Sequence, residues 1–510
     1  MINAAQKAVS IIFSIIEVLL HLPLKSVQIQ LALLLMATFL VAMFCGLPVK
    51  AQTETGFPFV KPKDRKIVLR DVNIDGNRRT KRHIILRELD IKSGDTIAVS
   101  DTSILFEWNA NKVFNTLLFT KAKVGIVLRD DSLTDFLEAD LQVAVNERWY
   151  TFPNPIFELA DRNFNEWWYL RNRDLSRVNY GLRFVQKNFR GRNEEVRIIA
   201  QGGFTRQFGL TYVIPYITRK FSEGLRLSAS YSTNKSIAFR TSENQLQFVK
   251  VEDRDLRRRF NASIAFNKRI GYFENHSFFF DFNRNQVDDT ITKLNPRYFE
   301  NGLSVQRYLQ FHYHYTFDKR NIRAYPLKGY FVGLSFNQIG FFEWEDVHIT
   351  SFRAKGALYR DLGLGFYYAV SADAEISAPQ RQPYYLHRSL GYSGRVVRGY
   401  EKNVIEGYIP MMMKQSFRKR ILKREFRPAL IPLEQFRQIP VSIYLKAHAD
   451  AGYVSNPLVF PENKRLTNTL LGGAGLGLDI VTYYDVVLRF EYSITRQGDK
   501  GFFISFESDI

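Results

Sequence analysis

His312 and His314 stand two residues apart in an alternating segment, so both imidazoles fall on one strand face and could share a metal ion. No third ligand accompanies them, and histidines on a wet polar face are the simpler reading. Gly391-Tyr392-Ser393-Gly394-Arg395 sets a serine among glycines. Its second glycine follows the serine directly, whereas a nucleophile elbow needs a residue between them. Asp288-Asp289 could serve as a carboxylate pair or a calcium site, and reads more simply as a solvated loop. Cys45 is the only cysteine, which excludes an intramolecular disulfide framework and a cysteine-based zinc cluster. No catalytic constellation forms from these residues. The chain is expected not to be an enzyme and to carry no cofactor or metal.

The chemistry is therefore sought in what the elements build. The 510 residues are 45% apolar and 24% charged, which excludes a disordered chain. Aromatics reach 15%, and mean hydropathy is −0.21, too low for a helical polytopic membrane protein. A membrane β-barrel, with one face of each strand polar, remains compatible. The net charge of +20 comes from 71 Lys and Arg against 51 Asp and Glu. The basic residues are scattered and match no nucleic-acid motif, so attraction to anionic lipid headgroups is expected and nucleic acid is not.

Residues 1–51 read as an export signal. Leu31 to Cys45 is apolar apart from Thr38, the length of a signal-peptide core rather than of a membrane span. Val49 and Ala51 supply small residues at the −3 and −1 positions, which makes Gln52 the first mature residue. Met43 and Phe44 before Cys45 are too bulky for a lipobox. Losing Lys7, Lys25, Lys50 and Glu17 leaves a mature charge of +18 from +20. A linker, 52–63, follows.

Residues 64–148 mix α and β signals in the order β-α-α-β-β. Lys66 to Ile74 reads as a strand and Gly76-Asn77 as a turn. Thr80 is expected to cap a helix through Ile84, Ile85 and Leu89, closed by Gly94. A second helix spans Ser103 to Leu118, and strands cover Val124 to Leu128 and Ala139 to Val145. The expected core is Ile74, Ile84, Leu89, Leu117, Phe119, Val124 and Val143. From about Ser176 onward the pattern has period 2 and no helix is expected. Leu476, Leu478 and Ile480 alternate with Gly475, Gly477 and Asp479. Val486, Leu488, Phe490 and Tyr492 alternate with Val487, Arg489, Glu491 and Ser493. A sandwich core would not tolerate the charged face, whereas a wet lumen does, and the aromatic apolar face suits membrane interfaces. Residues 149–510 thus read as an antiparallel transmembrane barrel of about 14–18 strands, with 16 the favoured even count.

In this frame the chain resembles the superfamily of outer-membrane assembly and secretion barrels that includes BamA, TamA and the two-partner secretion transporters. Residues 64–148 resemble one POTRA domain, through Ile74-Asp75-Gly76-Asn77, Arg87-Glu88-Leu89, Asn115 to Phe119 and Val145 to Arg148. Asn188-Phe189-Arg190-Gly191 resembles an early-strand motif. Asp318, Arg320 and Asn321 with Pro326 and Gly329 resemble a mid-barrel motif. Val397-Arg398-Gly399-Tyr400 matches the superfamily's most specific segment, and Asp450-Ala451-Gly452 a later strand.

The resemblance implies that Val397 to Tyr400 tip a long loop folded back into the lumen. Asp450 is then the expected partner of Arg398, whose planar fork suits a carboxylate. The family often carries Glu-x-Arg on the preceding strand. This chain has Ser416-Phe417-Arg418, so a weaker ion-pair network is expected, with Asp450 carrying the pairing almost alone. The chain also continues past Phe506 through Glu507 to Ile510, where the family ends on an aromatic. The implied function is insertion or translocation of unfolded or extended outer-membrane or secreted polypeptides, in an accessory role. Outer-membrane lipid and periplasmic or lipoprotein accessory subunits are the further partners. A passive pore or structural surface barrel is the alternative.

Overall fold

The computed structural model describes residues 66–129, 136–218, 222–392, 394–426, 439–482 and 486–505. The export signal, the linker, Ser393 and residues 506–510 lie outside them.

The first unit is a small sheet backed by two helices. It comprises β1 (Lys66–Asp75), α1 (Arg82–Leu86), β2 (Thr96–Ala98), α2 (Thr102–Phe114), β3 (Phe119–Leu128) and β4 (Phe136–Glu147), with sheet order β2-β1-β4-β3. β1 and β4 run parallel; β1 with β2, and β3 with β4, run antiparallel. This is the architecture expected of a POTRA-like domain, with the short β2 added. Leu69, Ile85, Leu118, Phe119, Leu141 and Val143 bury themselves between sheet and helices, each stabilising the fold by roughly 1.5–3 kcal/mol.

Two local expectations are corrected. Leu117 is 55% exposed, and Leu118 takes its core place, because α2 ends at Phe114 and Leu117 turns the chain at φ +61°. Thr80 does not cap α1, whose N-cap is Lys81. Its hydroxyl instead donates to Glu147 at 2.6 Å and accepts from the Asn188 amide at 2.9 Å.

The second unit is one antiparallel sheet of 16 strands. In chain order these are β5 (Thr151–Leu159), β6 (Val178–Phe189), β7 (Glu194–Gly203), β8 (Thr205–Ile214) and β9 (Glu223–Asn234). After a separate hairpin, β10 (Ser236–Ser242) and β11 (Gln245–Lys250), follow β12 (Arg257–Ile270), β13 (Glu274–Val287), β14 (Val305–Asp318) and β15 (Gly329–Ile339). Then come β16 (Ile349–Gly363), β17 (Phe366–Ala378), β18 (Ile409–Phe426), β19 (Ile439–Ser455), β20 (Leu471–Val481), β21 (Val487–Thr495) and β22 (Lys500–Ser505). Alternation sets the faces: Leu445, Leu476 and Tyr492 point outward and are exposed, while Lys446, Asp479 and Glu491 point inward and are buried. No helix among the described residues is long and apolar enough to cross a membrane; the strands make the wall.

Two short helices, α3 (Phe164–Leu170) and α4 (Asp289–Leu294), interrupt the strands. The second corrects the reading of Asp288-Asp289 as a loop: Asp288 caps α4 by accepting from Thr290 N at 3.0 Å. It also corrects the expectation of no helix beyond Ser176.

The β6–β7 turn joins the two units. Gly191 O accepts from Lys81 N at 2.9 Å, and a Cβ on Gly191, at φ +72°, would lie 2.1 Å from Arg79 O. Arg87 stacks its guanidinium 3.5 Å from the Tyr216 ring centre, and Trp108 meets Tyr272 edge-on at 6.0 Å. The POTRA-like domain therefore sits against one rim of the barrel.

Candidate functional site in the lumen

Three lumen-facing glycines on β20 create the room for the site. A Cβ on Gly473 would lie 1.8 Å from Arg398 O, one on Gly475 would lie 3.0 Å from the His448 ring, and one on Gly477 would lie 3.0 Å from the Glu491 side chain. Into that space descends the connection between β17 and β18, described over residues 379–392 and 394–408. Val397 packs with Leu390, Val454 and Leu471 in a buried apolar cluster. Gly399, at φ +99°, lets the backbone pass Thr495, whose Cγ2 would stand 2.8 Å from any Cβ placed there. The buried Tyr400 hydroxyl donates to Gly472 O at 3.1 Å and bonds the Gln497 side chain.

Arg398 is 3% exposed. Its backbone N–H and Nε donate to Asp450 Oδ2 at 3.0 and 2.8 Å, and Nη2 donates to Oδ1. Nη1 reaches Ser416 Oγ at 3.0 Å and Nη2 the Gln415 carbonyl at 2.9 Å. Glu491 Oε1 stands 3.5 Å from Nη1. The serine at 416 therefore serves as a neutral acceptor, and a second acid comes from β21. This answers the expectation that Asp450 would stand almost alone: the missing acid is replaced from another strand.

The charges continue along the lumen. Lys446, fully buried, pairs with Glu491 at 2.8 Å and with Asp479 at 2.9 Å. Arg489 pairs with Asp479 at 3.1 Å, and the other Asp479 oxygen accepts from the Tyr325 hydroxyl at 2.8 Å. Tyr325 belongs to the β14–β15 turn, on the rim that meets the POTRA-like domain. Arg418 lies 4.6 Å from the Tyr325 ring centre and donates to Pro326 O at 3.3 Å. A chain of alternating charge thus links the loop tip to the opposite rim. Buried charges persist only when paired in this way.

The mid-barrel motif builds that turn. Asp318 holds Arg320 bidentately at 2.8 and 2.9 Å. Asn321 Oδ1 accepts from Leu327 N and Lys328 N at 3.0 and 3.1 Å. Gly329, at φ +100°, passes so close to Lys319 O that a Cβ would lie 2.0 Å from it. Sequence reasoning missed Glu491, Asp479 and Tyr325. The first two were visible as acids on the polar face of their strands, but nothing in a single strand says which neighbours it meets.

At the rim remote from the POTRA-like domain, the loops interlock. Asn244, at the tip of the β10–β11 hairpin, donates its backbone N–H to Asn463 Oδ1 at 2.9 Å and accepts from Val404 N at 2.8 Å. Glu406 accepts from Thr241 at 2.5 Å. Arg162 donates to the carbonyls of Gly391 and Asn403. Burial raises the Glu401 carboxyl to about 8, with the charge of Glu491 adding to the effect, and burial raises Glu406 to about 7. His312 and His314 lie with ring centres 6.1 Å apart, His314 on Ser335 Oγ at 2.7 Å. Among the described residues no three potential metal ligands gather.

The two ends of the sheet, β5 and β22, share no ladder among the described residues. Instead α3 lies along the edge of β22. Asn165 donates to Ile504 O at 3.1 Å and accepts from Ile504 N at 3.0 Å, and Tyr169 donates to Phe502 O at 3.0 Å.

Residues 188–502 match the Omp85 superfamily domain. Among solved structures, BamA from Haemophilus ducreyi lacking POTRA domains 1-3 superposes with a TM-score of 0.54 at 13% identity, covering 86% of this chain and 83% of that one. CdiB from Acinetobacter baumannii gives 0.49 at 12% identity, over 87% and 73% of the two chains. CdiB from Escherichia coli gives 0.46 at 9%, over 89% and 92%. No curated protein sequence matches the chain.

Proposed function

Because the chain belongs to the Omp85 superfamily, whose outer-membrane barrels insert or secrete proteins, we propose that it handles extended polypeptide clients without enzymatic chemistry or a cofactor. In this reading the POTRA-like domain stands in the periplasm. Its edge strand β3, paired only with β4, takes up a client segment by strand addition. The client then passes to the barrel, at the seam between β5 and β22. The observation that carries the reading is this seam: the edge of β22 is met by side chains of α3 rather than by a strand. Side chains are exchanged for a backbone partner without breaking a ladder. The alternative, a passive pore, fits less well with a lumen occupied by Leu390, Val397 and Tyr400 and a mouth crossed by interlocked loops. Photocrosslinkers placed along β3 and β22 in the full chain, with depletion in cells, test the proposal. Crosslinks to nascent outer-membrane or secreted proteins, together with their loss on depletion, support it. Ion conductance with neither effect overturns it in favour of the pore.

A further inference from the structure

One sector of the barrel's outer wall differs from the rest. Residues opposite one another on paired strands share a face. Thr233 faces both Arg206 and Arg258, and Arg284 faces both Phe260 and Arg307. Arg206, Arg258, Arg284 and Arg307 therefore occupy two adjacent rows, at the rim remote from the POTRA-like domain, on the same outward face as the exposed Phe208 and Phe260. All four arginines are exposed. Asp255 pairs with Arg206 and lies 4.0 Å from Arg258, and Asp346 lies 3.8 Å from Arg307. Arg284 makes no ion pair among the described residues. Two carboxylates against four guanidiniums leave this wall with unbalanced positive charge at the edge of an apolar surface.

The next row toward the other rim is a dent. Leu210, Ala229, Ala262, Phe282 and Leu309 run across five neighbouring strands, with the two alanines at the centre. They floor an apolar groove of about 910 Å³, over which Phe341 and Phe342 also close. That loop is anchored: the buried Glu345 accepts from the backbone N–H of Phe341 and Phe342 at 2.5 and 2.7 Å, and from that of Leu309. Basic forks thus sit directly beside a slot of acyl-chain character.

We propose that this sector binds a multiply phosphorylated, acylated lipid of the outer leaflet, with the arginines on its phosphates and one acyl chain in the groove. Guanidinium takes phosphate bidentately. From β8 to β14 there are four strand spacings, about 19 Å in all, too long for a single phosphate and suited to a headgroup bearing two. The wall faces lipid, and the groove opens onto it, so the occupant comes from the bilayer and not from the aqueous phase. The assignment to the outer leaflet rests on the POTRA-like domain facing the periplasm, as proposed above.

The test is lipid retention by the purified full chain, followed by native mass spectrometry after exchange into mixed micelles. The probes are a bisphosphorylated, multiply acylated disaccharide lipid, its enzymatically dephosphorylated form, and phosphatidylglycerol. The bisphosphorylated probe should be retained preferentially. The triple variant Arg258→Gln, Arg284→Gln, Arg307→Gln should weaken retention by about a hundredfold. Ala262→Phe, which fills the groove and leaves every arginine, should weaken it as well. Heat-modifiable migration on gels shows whether each variant is a folded barrel. Equal retention of the dephosphorylated form, preference for phosphatidylglycerol, or full retention by either folded variant would overturn the proposal. The assay contains no client, so its failure leaves the polypeptide-handling reading standing, and crosslinking failure leaves the lipid site standing.

Discussion

Arg398 binds two carboxylates on different strands, so its removal and the removal of either partner should have different consequences. Arg398→Ala leaves Asp450 and Glu491 facing each other across the loop site. A wholly buried pair broken this way costs roughly 3–5 kcal/mol, and any water in the lumen reduces that. Arg398→Lys should recover only part, because an ammonium cannot span Asp450, Ser416 and the Gln415 carbonyl together. Double-mutant cycles on thermal stability should give a coupling above about 1 kcal/mol for Arg398 with Asp450, and a smaller one for Arg398 with Glu491, which also pairs with Lys446. Additivity in both cycles would show that the loop is held by its apolar contacts alone. Glu401 and Glu406 give a second test. Both carboxyls are raised in the folded protein, to about 8 and about 7. The folded state therefore holds protons that the unfolded chain releases near the ordinary carboxylate value. Docking of the loop should be firmest in acid and weaken as the pH rises through about 4.5 to 8. Limited proteolysis of residues 379–408 across that range should show the trend, and the pair Glu401→Gln, Glu406→Gln should flatten it. A flat wild-type profile would reject it.

α3 has seven residues and yet occupies the last strand's edge. Its Asn165 offers a donor and an acceptor to Ile504, the same pair of groups that a strand backbone would present. Asn165→Leu should leave both Ile504 groups without that partner, at roughly 1–3 kcal/mol if they stay dry. Hydrogen exchange at the Ile504 amide should quicken, while Asn165→Asp, which keeps the acceptor, should slow it relative to the leucine variant. Unchanged exchange in Asn165→Leu would mean that α3 merely rests beside the strand. Neither α3 nor α4 was legible in the sequence, because six or seven residues are too few for a periodic stripe and their stability comes from distant partners. The strands were legible wherever one face meets lipid, since period 2 survives along Leu476 to Ile480 and Val486 to Ile494. The shift from Leu117 to Leu118 was not, since it depends on a positive φ that no local pattern announces.

At the scale of the molecule, period-2 patterning with charges inside and aromatics outside was enough to read a barrel preceded by a small α/β unit, while chain length bounded the strands only to about 14–18, with 16 the favoured even count. The contact between the two units was hidden, since it runs through side chains as different as Thr80, Asn188 and Arg87. The pairing of Arg398 with Asp450 came from resemblance rather than from local chemistry. Its second acid, Glu491, needed the order of the strands. The interlocked mouth has an electrical consequence. Asn244, Asn463 and Val404 tie three loops across one end, Tyr400 and Val397 fill the space beneath, and Lys446 with Arg489 leaves fixed cations inside. Ions would have to shed water and pass alternating charges to traverse it. Reconstituted in a planar bilayer, the intact protein should be an insulator, with only rare brief currents. Clipping the ties with Asn463→Ala, which removes the side chain that bonds the Asn244 backbone and Thr241 O, and Arg398→Ala together should raise the open fraction while the barrel stays folded. Steady current from the unmodified chain would mean that the stopper leaks, and that a sixteen-stranded wall with this lumen conducts as it stands.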